Sequence, residues 1–201
     1  VYKRQEDAEE RGAVCPWSDA YGAGAIVRGV EMYGPDFFLI PNRWWSISEP
    51  GKDGIVIRKV NGEEELCISR CFLEPALRRP SLYRWRILVE PSHYLLAIPP
   101  ISVKELPRDV RLYLEWGASS GAAKPAINAF GKHWYSHVYK QIQAKKPYGH
   151  VFLPDKIDPS FKSRGVYANY TEKPTIATKN FHIVRLGDKE AAKALKEAAE
   201  E

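Results

Sequence analysis

Cysteine is scarce: Cys15, Cys67 and Cys71 are the three in 201 residues. So few, and odd in number, they exclude a disulfide-stapled scaffold and fit a reducing, cytoplasmic setting. Long apolar runs are absent. The best, Tyr94 to Pro100, ends in two prolines and falls short of the ~18 residues a membrane helix needs, so no membrane partner is expected. No basic-then-apolar leader opens the chain. Methionine is nearly missing as well. Residue 1 is Val and the single Met is Met32, so the chain reads as an excerpt of a longer protein.

What is present is ordinary in amount and uneven in placement. Apolar residues make up 44% and charged residues 27%, which excludes a disordered chain, a coiled coil and a collagen-like fibre. The net charge is +5, but both ends lean acidic, so the middle of the chain is more basic than the average. From Lys124 to Arg185 eleven basic residues face only Asp155, Asp158 and Glu172. Such a stretch attracts polyanions. Six Trp and eleven Tyr accompany it, several beside positive charge: Arg43-Trp44-Trp45, Tyr83-Arg84-Trp85-Arg86 and Lys132-His133-Trp134-Tyr135. Cations hold phosphates or guanine edges, while flat rings stack on bases or fill a core.

The pattern of elements predicts an α+β fold with mixed and antiparallel strands and a few helices. Phe37 to Pro41 reads as a short buried strand, resumed from Trp44 after a turn at Asn42. Ile55 to Val60 and Glu65 to Arg70 flank Asn61-Gly62, a strong hairpin signal. Pro75 and Pro80 are expected to break regular structure. Tyr83 to Glu90, Tyr94 to Ile98, His150 to Leu153, Gly165 to Tyr170 and Thr175 to Leu186 read as further strands. Helices are expected over Leu106 to Trp116, stopped by Gly117, and over Lys132 to Gln143. The chain divides into a linker or helical lead-in (1–12), one domain (13–187) and a C-terminal helix (188–201) capped by Asp188.

Catalytic motifs are missing. His133 and His137 have helical i, i+4 spacing but lack the Glu that a zinc-protease motif needs. Cys67 and Cys71 read as buried sulfur ahead of a zinc pair, so no metal is expected. Pro154-Asp155 is not completed into a metal-dependent nuclease pattern, because no Asp or Glu has Lys two residues on. Gly22-x-Gly24 lacks the third glycine of a dinucleotide fingerprint, and there is no phosphate loop and no nucleophile elbow.

The second half nevertheless resembles a known family. Gly131-Lys132-His133-Trp134-Tyr135, Lys145-Lys146-Pro147, Val151-Phe152-Leu153-Pro154-Asp155-Lys156-Ile157, Tyr167-Ala168 and Thr178-Lys179-Asn180-Phe181-His182-Ile183-Val184 are similar to the target-recognition region of TaqI-like, gamma-type adenine-N6 DNA methyltransferases of restriction–modification systems. Upstream, Gly24 to Val30 with Phe37-Phe38, and Leu73 to Arg79 before Tyr83-Arg84-Trp85, resemble the opening of that region. Arg28 stands where the family usually has Thr. The one Pro-Pro, in Ile98-Pro99-Pro100-Ile101, lacks the flanking Asn and aromatic of the methylase motif. The resemblance therefore implies the specificity domain alone. The catalytic domain, with its S-adenosylmethionine, belongs to the same full-length chain, and no cofactor is expected here.

The resemblance implies sequence-specific binding of double-stranded DNA, since a base is methylated only after leaving the stack. Phosphate contacts are expected from Lys132, Lys145, Lys146, Lys156 and Lys179. Loops around Arg43, Arg78-Arg79 and Lys162-Ser163-Arg164 are expected to place guanidinium groups in the major groove, with Arg28 and Arg84 as further DNA contacts. Asn180 reads as a base reader or a turn residue. Trp44, His133 and Tyr135 read as DNA contacts, with Trp44, Trp45, Trp134 and Tyr135 alternatively the packing that fixes the loops. An RNA-binding module, a protein-interaction scaffold without nucleic acid, and an enzyme with its own deep pocket are the alternatives.

Overall fold

The computed structural model describes residues 26–51, 53–84, 86–156 and 168–185. The expected lead-in (1–12), the C-terminal helix (188–201), Lys162 and Arg164 lie outside them. Within them the α+β expectation holds.

The clearest local code is in β3 (Trp45–Pro50), β4 (Gly54–Lys59) and β5 (Glu65–Ser69), an antiparallel three-stranded sheet in the order β3-β4-β5. Ile55, Ile57, Leu66 and Ile68 point inward at every second position, with Arg58 and Glu65 paired on the outer face. The Asn61-Gly62 turn closes the hairpin, with the Lys59 amide donating to Glu64 O at 2.9 Å.

The second sheet has seven strands in the order β1-β10-β8-β9-β6-β7-β2. They are β1 (Ile26–Arg28), β2 (Leu39–Ile40), β6 (Leu73–Leu77), β7 (His93–Leu96), β8 (Gly149–Pro154), β9 (Asn169–Ala177) and β10 (Phe181–Val184). Every pairing is antiparallel except β6 with β9. A parallel bridge from Val30 to Thr178 brings the chain just after β1 against the end of β9.

Helices fill the middle of the chain: α1 (Pro35–Phe38), α2 (Arg108–Ser119), α3 (Lys124–Phe130) and α4 (His137–Lys145). Along α2, Val110, Tyr113, Leu114 and Gly117 make one buried stripe at helical spacing. Among the described residues no helix is long and apolar enough to cross a membrane.

The aromatic rings are mostly core. Phe37 lies 4.8 Å from Phe38, 5.0 Å from Trp134 and 5.1 Å from Tyr113, between ring centroids. Asn42 ties this block to the sheet. Its side-chain oxygen accepts from the Trp44 and Trp45 amides, and its amide donates to Leu39 O. A smaller cluster under the long sheet holds Leu77, Tyr83, Phe152, Phe181 and Ile183.

Several expectations are corrected. Phe37-Phe38 is a helical turn, because Pro35 pre-sets helical φ just after left-handed Gly34 and both rings then reach one core. Pro75 sits inside β6, tolerated because β9 joins that strand only from Ala76 onward. The described residues 83, 84 and 86–90 belong to no strand. They are strapped across β9 by the Asn169 amide, which donates to Tyr83 O and Arg86 O. The helix expected from Lys132 starts as a 3-10 stretch, Gly131–Ser136, and only becomes α at His137. Cys67 and Cys71 are exposed rather than buried.

Candidate nucleic-acid interface

The site is built around the tight turn that joins β9 to β10. The Thr178 amide donates to Leu77 O at 3.0 Å, and its hydroxyl bonds the carbonyl of Arg78. The Lys179 amide donates to Val30 O at 2.8 Å, and the Asp155 amide to Asn180 O at 2.7 Å. The ends of β6, β8 and β9 and the exit from β1 are thus pinned to one three-residue turn. Arg28, Arg78, Lys156, Lys179 and Asn180, drawn from four separate stretches of sequence, are gathered there by backbone hydrogen bonds and the Thr178 hydroxyl.

The side chains on this junction are charged and reachable. The Arg28 guanidinium donates to Asp155 Oδ2 at 2.9 Å and to Lys179 O at 3.2 Å, and His182 Nε2 lies 3.0 Å from Asp155 Oδ1. Lys179 Nζ donates to Glu31 Oε1 at 2.8 Å. The Glu31 carboxyl is held below the usual carboxylate range by that hydrogen bond, and also by the charges of Lys179, Arg28 and Lys145. Gln141 of α4 (His137–Lys145) exchanges hydrogen bonds with the Glu31 backbone, which brings the end of that helix toward Lys179 and Arg28. Arg185 extends the group by donating to Lys145 O and Lys146 O at the end of α4, where the helix carries partial negative charge. Arg28 and Lys179 remain about half exposed, at 54% and 45%. The Lys179–Glu31 pair, 45% and 47% exposed, contributes about 0–1 kcal/mol, so exchange of that carboxylate for a phosphate costs little.

A second group surrounds Asp36. Arg78 Nη2 is 3.3 Å from Asp36 Oδ1 and Arg43 Nε is 3.7 Å from Oδ2. The Arg43 guanidinium lies 3.9 Å above the Trp44 ring. Arg79 is exposed beside them. Behind Arg78 sits buried His93, pushed down to about 4 by its burial first and by the charges of Arg78 and Arg79. It is neutral at pH 7. Since the unfolded imidazole titrates near its usual value, acid favours the unfolded chain between about 6.5 and about 4. Stability is expected to fall across that window by about 1–3 kcal/mol, read as the urea midpoint. His93→Gln should flatten the decline, and an unchanged slope in that variant would remove His93 from the account.

The remaining sequence candidates divide. Lys132 is exposed and His133 half-buried, and His133 shares a cavity with Lys145. Tyr135 is 2% exposed and its hydroxyl donates to Ile101 O at 2.6 Å, so it presents no ring to solvent. Trp44 packs on the core and Trp116. Arg84 is half-buried. His133 and His137 do not make a helical pair, because His133 has non-helical backbone angles. Lys140 and Arg185 count toward the basic stretch without an individual signal, and Glu31 carried none. They join the site only through the docking of α4 beside β1, where Gln141 exchanges hydrogen bonds with the Glu31 backbone.

A groove of about 1090 Å³ is lined in part by Tyr83, Arg86, Ser92, His93 and Glu172. Ser92 Oγ is 2.8 Å from His93 Nδ1, the distance expected of a nucleophile and its base. The roles are reversed, however. His93 Nε2 faces Arg78 Nη1 at 3.4 Å, and guanidinium only donates, so Nδ1 carries the proton and donates to Ser92. The imidazole therefore cannot take a proton from Ser92. Among the described residues no three His, Cys, Asp or Glu side chains gather as metal ligands. Comparison with protein-family models, with curated proteins and with solved structures finds no match to this chain.

Proposed function

We propose that this chain is the target-recognition domain of an adenine-N6 DNA methyltransferase, binding duplex DNA over the β9–β10 turn and the end of α4. The observation that supports it most is the β9–β10 turn, whose backbone bonds to Val30 and Asp155 bring together Arg28, Lys156 and Lys179, with Arg28 donating to Lys179 O. A surface that concentrates cations from distant parts of the chain suits a phosphate backbone, which supplies most of the affinity for DNA. Methyl transfer and S-adenosylmethionine belong to a catalytic domain of the same full-length protein, acting in the cytoplasm.

Two kinds of contact are assigned. Lys145 and Lys146 hold phosphates and carry no sequence information. Arg78 and Arg79 read bases, with Asp36 orienting Arg78 and leaving Arg79 open. The test is selection from a pool of randomised duplexes, followed by titration at several salt concentrations. Lys145→Ala with Lys146→Ala is expected to weaken all duplexes alike and to reduce the log–log salt slope by about 2. Arg78→Ala with Arg79→Ala is expected to relax preference at one or two positions, by about 1–3 kcal/mol each. Equal, sequence-blind losses from both pairs would refute the division. Tighter binding of duplex RNA or single strands in competition would move the assignment to an RNA module.

A further inference from the structure

An aromatic shelf lies beside the basic junction. Phe130, the last residue of α3, is 43% exposed, and Tyr33 is 41% exposed. Among the described residues the other aromatic rings are buried or half-buried. Tyr33 meets Phe130 edge to face, with centroids 5.1 Å apart. Behind Phe130, the His137 ring is stacked at 4.5 Å and 11°.

The stack is rigid. His137 Nδ1 donates to Trp134 O at 2.9 Å, which leaves Nε2 as an acceptor for the Tyr33 amide at 3.5 Å. Burial holds the imidazole below its usual value, so the ring is neutral near pH 7. Phe130 is thus backed by an anchored imidazole and keeps part of its ring in water.

Next to the stack is a cavity of about 350 Å³ lined by Phe130, His133, His137, Lys140, Gln141 and Lys145. Its size is at the low end of the ~300–1,000 Å³ that small-ligand sites occupy. Gln141 is committed to the Glu31 backbone through both ends of its amide, so it is not free to read a ligand. What remains is an aromatic wall with ammonium groups at the rim. Gln141 in the cavity lining bonds the backbone of Glu31, whose carboxylate takes Lys179, so shelf and junction adjoin.

We propose that this cavity takes one unstacked nucleobase of the bound DNA, which lies against Phe130 while Lys140 and Lys145 hold the flanking phosphates. Base–aromatic stacking needs only a ring of the right width and tolerates any base. The site therefore selects an extrahelical nucleotide rather than a sequence. The inference rests on the DNA-binding reading above.

The probe is a duplex carrying a single-nucleotide 2-aminopurine bulge, compared with the same duplex fully paired. The bulged duplex is expected to bind about tenfold more tightly and to lose fluorescence on binding, as stacking on an aromatic wall requires. Phe130→Leu is expected to abolish both differences while leaving affinity for the paired duplex unchanged. Phe130→Trp is expected to keep them. Both variants alter an exposed ring, and far-UV circular dichroism would verify their fold. Equal binding of bulged and paired duplexes would overturn the nucleobase site and leave the duplex reading standing. Binding of neither at low salt would overturn both.

Discussion

Replacing Phe37 by alanine is expected to cost about 3–5 kcal/mol of folding stability. The ring is fully buried and lies within 6.3 Å, between centroids, of Phe38, Tyr113, Trp116 and Trp134. The residues around it belong to α1, α2 and the 3-10 stretch before α4, so none can move in to fill the void without detaching its own element. A typical domain has only about 5–15 kcal/mol in total, so the loss is large, and Phe37→Leu is the variant to carry forward. Gly117 supplies an internal check. A Cβ on Gly117 would sit 2.1 Å from the Phe37 ring, a collision that explains why glycine is needed within α2. Gly117→Ala alone is expected to destabilise strongly. Added to Phe37→Leu, it should cost much less than the sum of the two, because the smaller side chain yields the space. Urea unfolding of the two single variants and the double variant measures this coupling. Simple additivity would mean that the ring and the glycine do not share the space.

The same glycine shows what a sequence can and cannot disclose. Gly117 after a helical pattern reads as a stop signal, and α2 nevertheless continues to Ser119, because the glycine serves a ring from a distant segment. By contrast the β4–β5 hairpin is legible at once. Asn61-Gly62 and the alternation of Ile55, Ile57, Leu66 and Ile68 are local facts that tertiary packing does not overrule. Lys124–Phe130 offered no such pattern. Its buried contribution is Ala126 alone, and the exposed Phe130 that ends it points out of the core. The candidate site follows the same division. Its residue types could be named from charge and aromatic placement. Which of them meet is decided by the parallel pairing of β6 with β9 and by the Val30–Thr178 bridge, and neither has a local signature.

That dependence makes Gly29 the most sensitive position of the junction. A Cβ built there would lie 2.2 Å from Thr178 O and 2.4 Å from Ala177 O. Both are backbone atoms, so no side chain can rotate away. On either side the Gly29 amide donates to Phe181 O at 2.9 Å and the Val30 amide to Ala177 O at 2.8 Å. Gly29→Ala must therefore lift the 178–180 turn off the exit of β1 or break these bonds. The expected cost is about 2–3 kcal/mol, the upper part of the range for overpacking, because the obstacle is main chain. The consequence for binding is separable from the consequence for stability. Arg28 reaches Lys179 O and Asp155 only while the junction is closed, so the cations should disperse and duplex affinity should fall by about tenfold or more at low salt. Phe37→Leu is the matched comparison, since it destabilises from the aromatic block and leaves the turn untouched. If both variants, titrated under conditions where each is folded, bind duplex DNA like the parent, then the charges gathered at the β9–β10 turn do not hold the phosphates. A Gly29→Ala protein that loses affinity while Phe37→Leu keeps it would place the phosphate grip at the one turn where four strand ends meet.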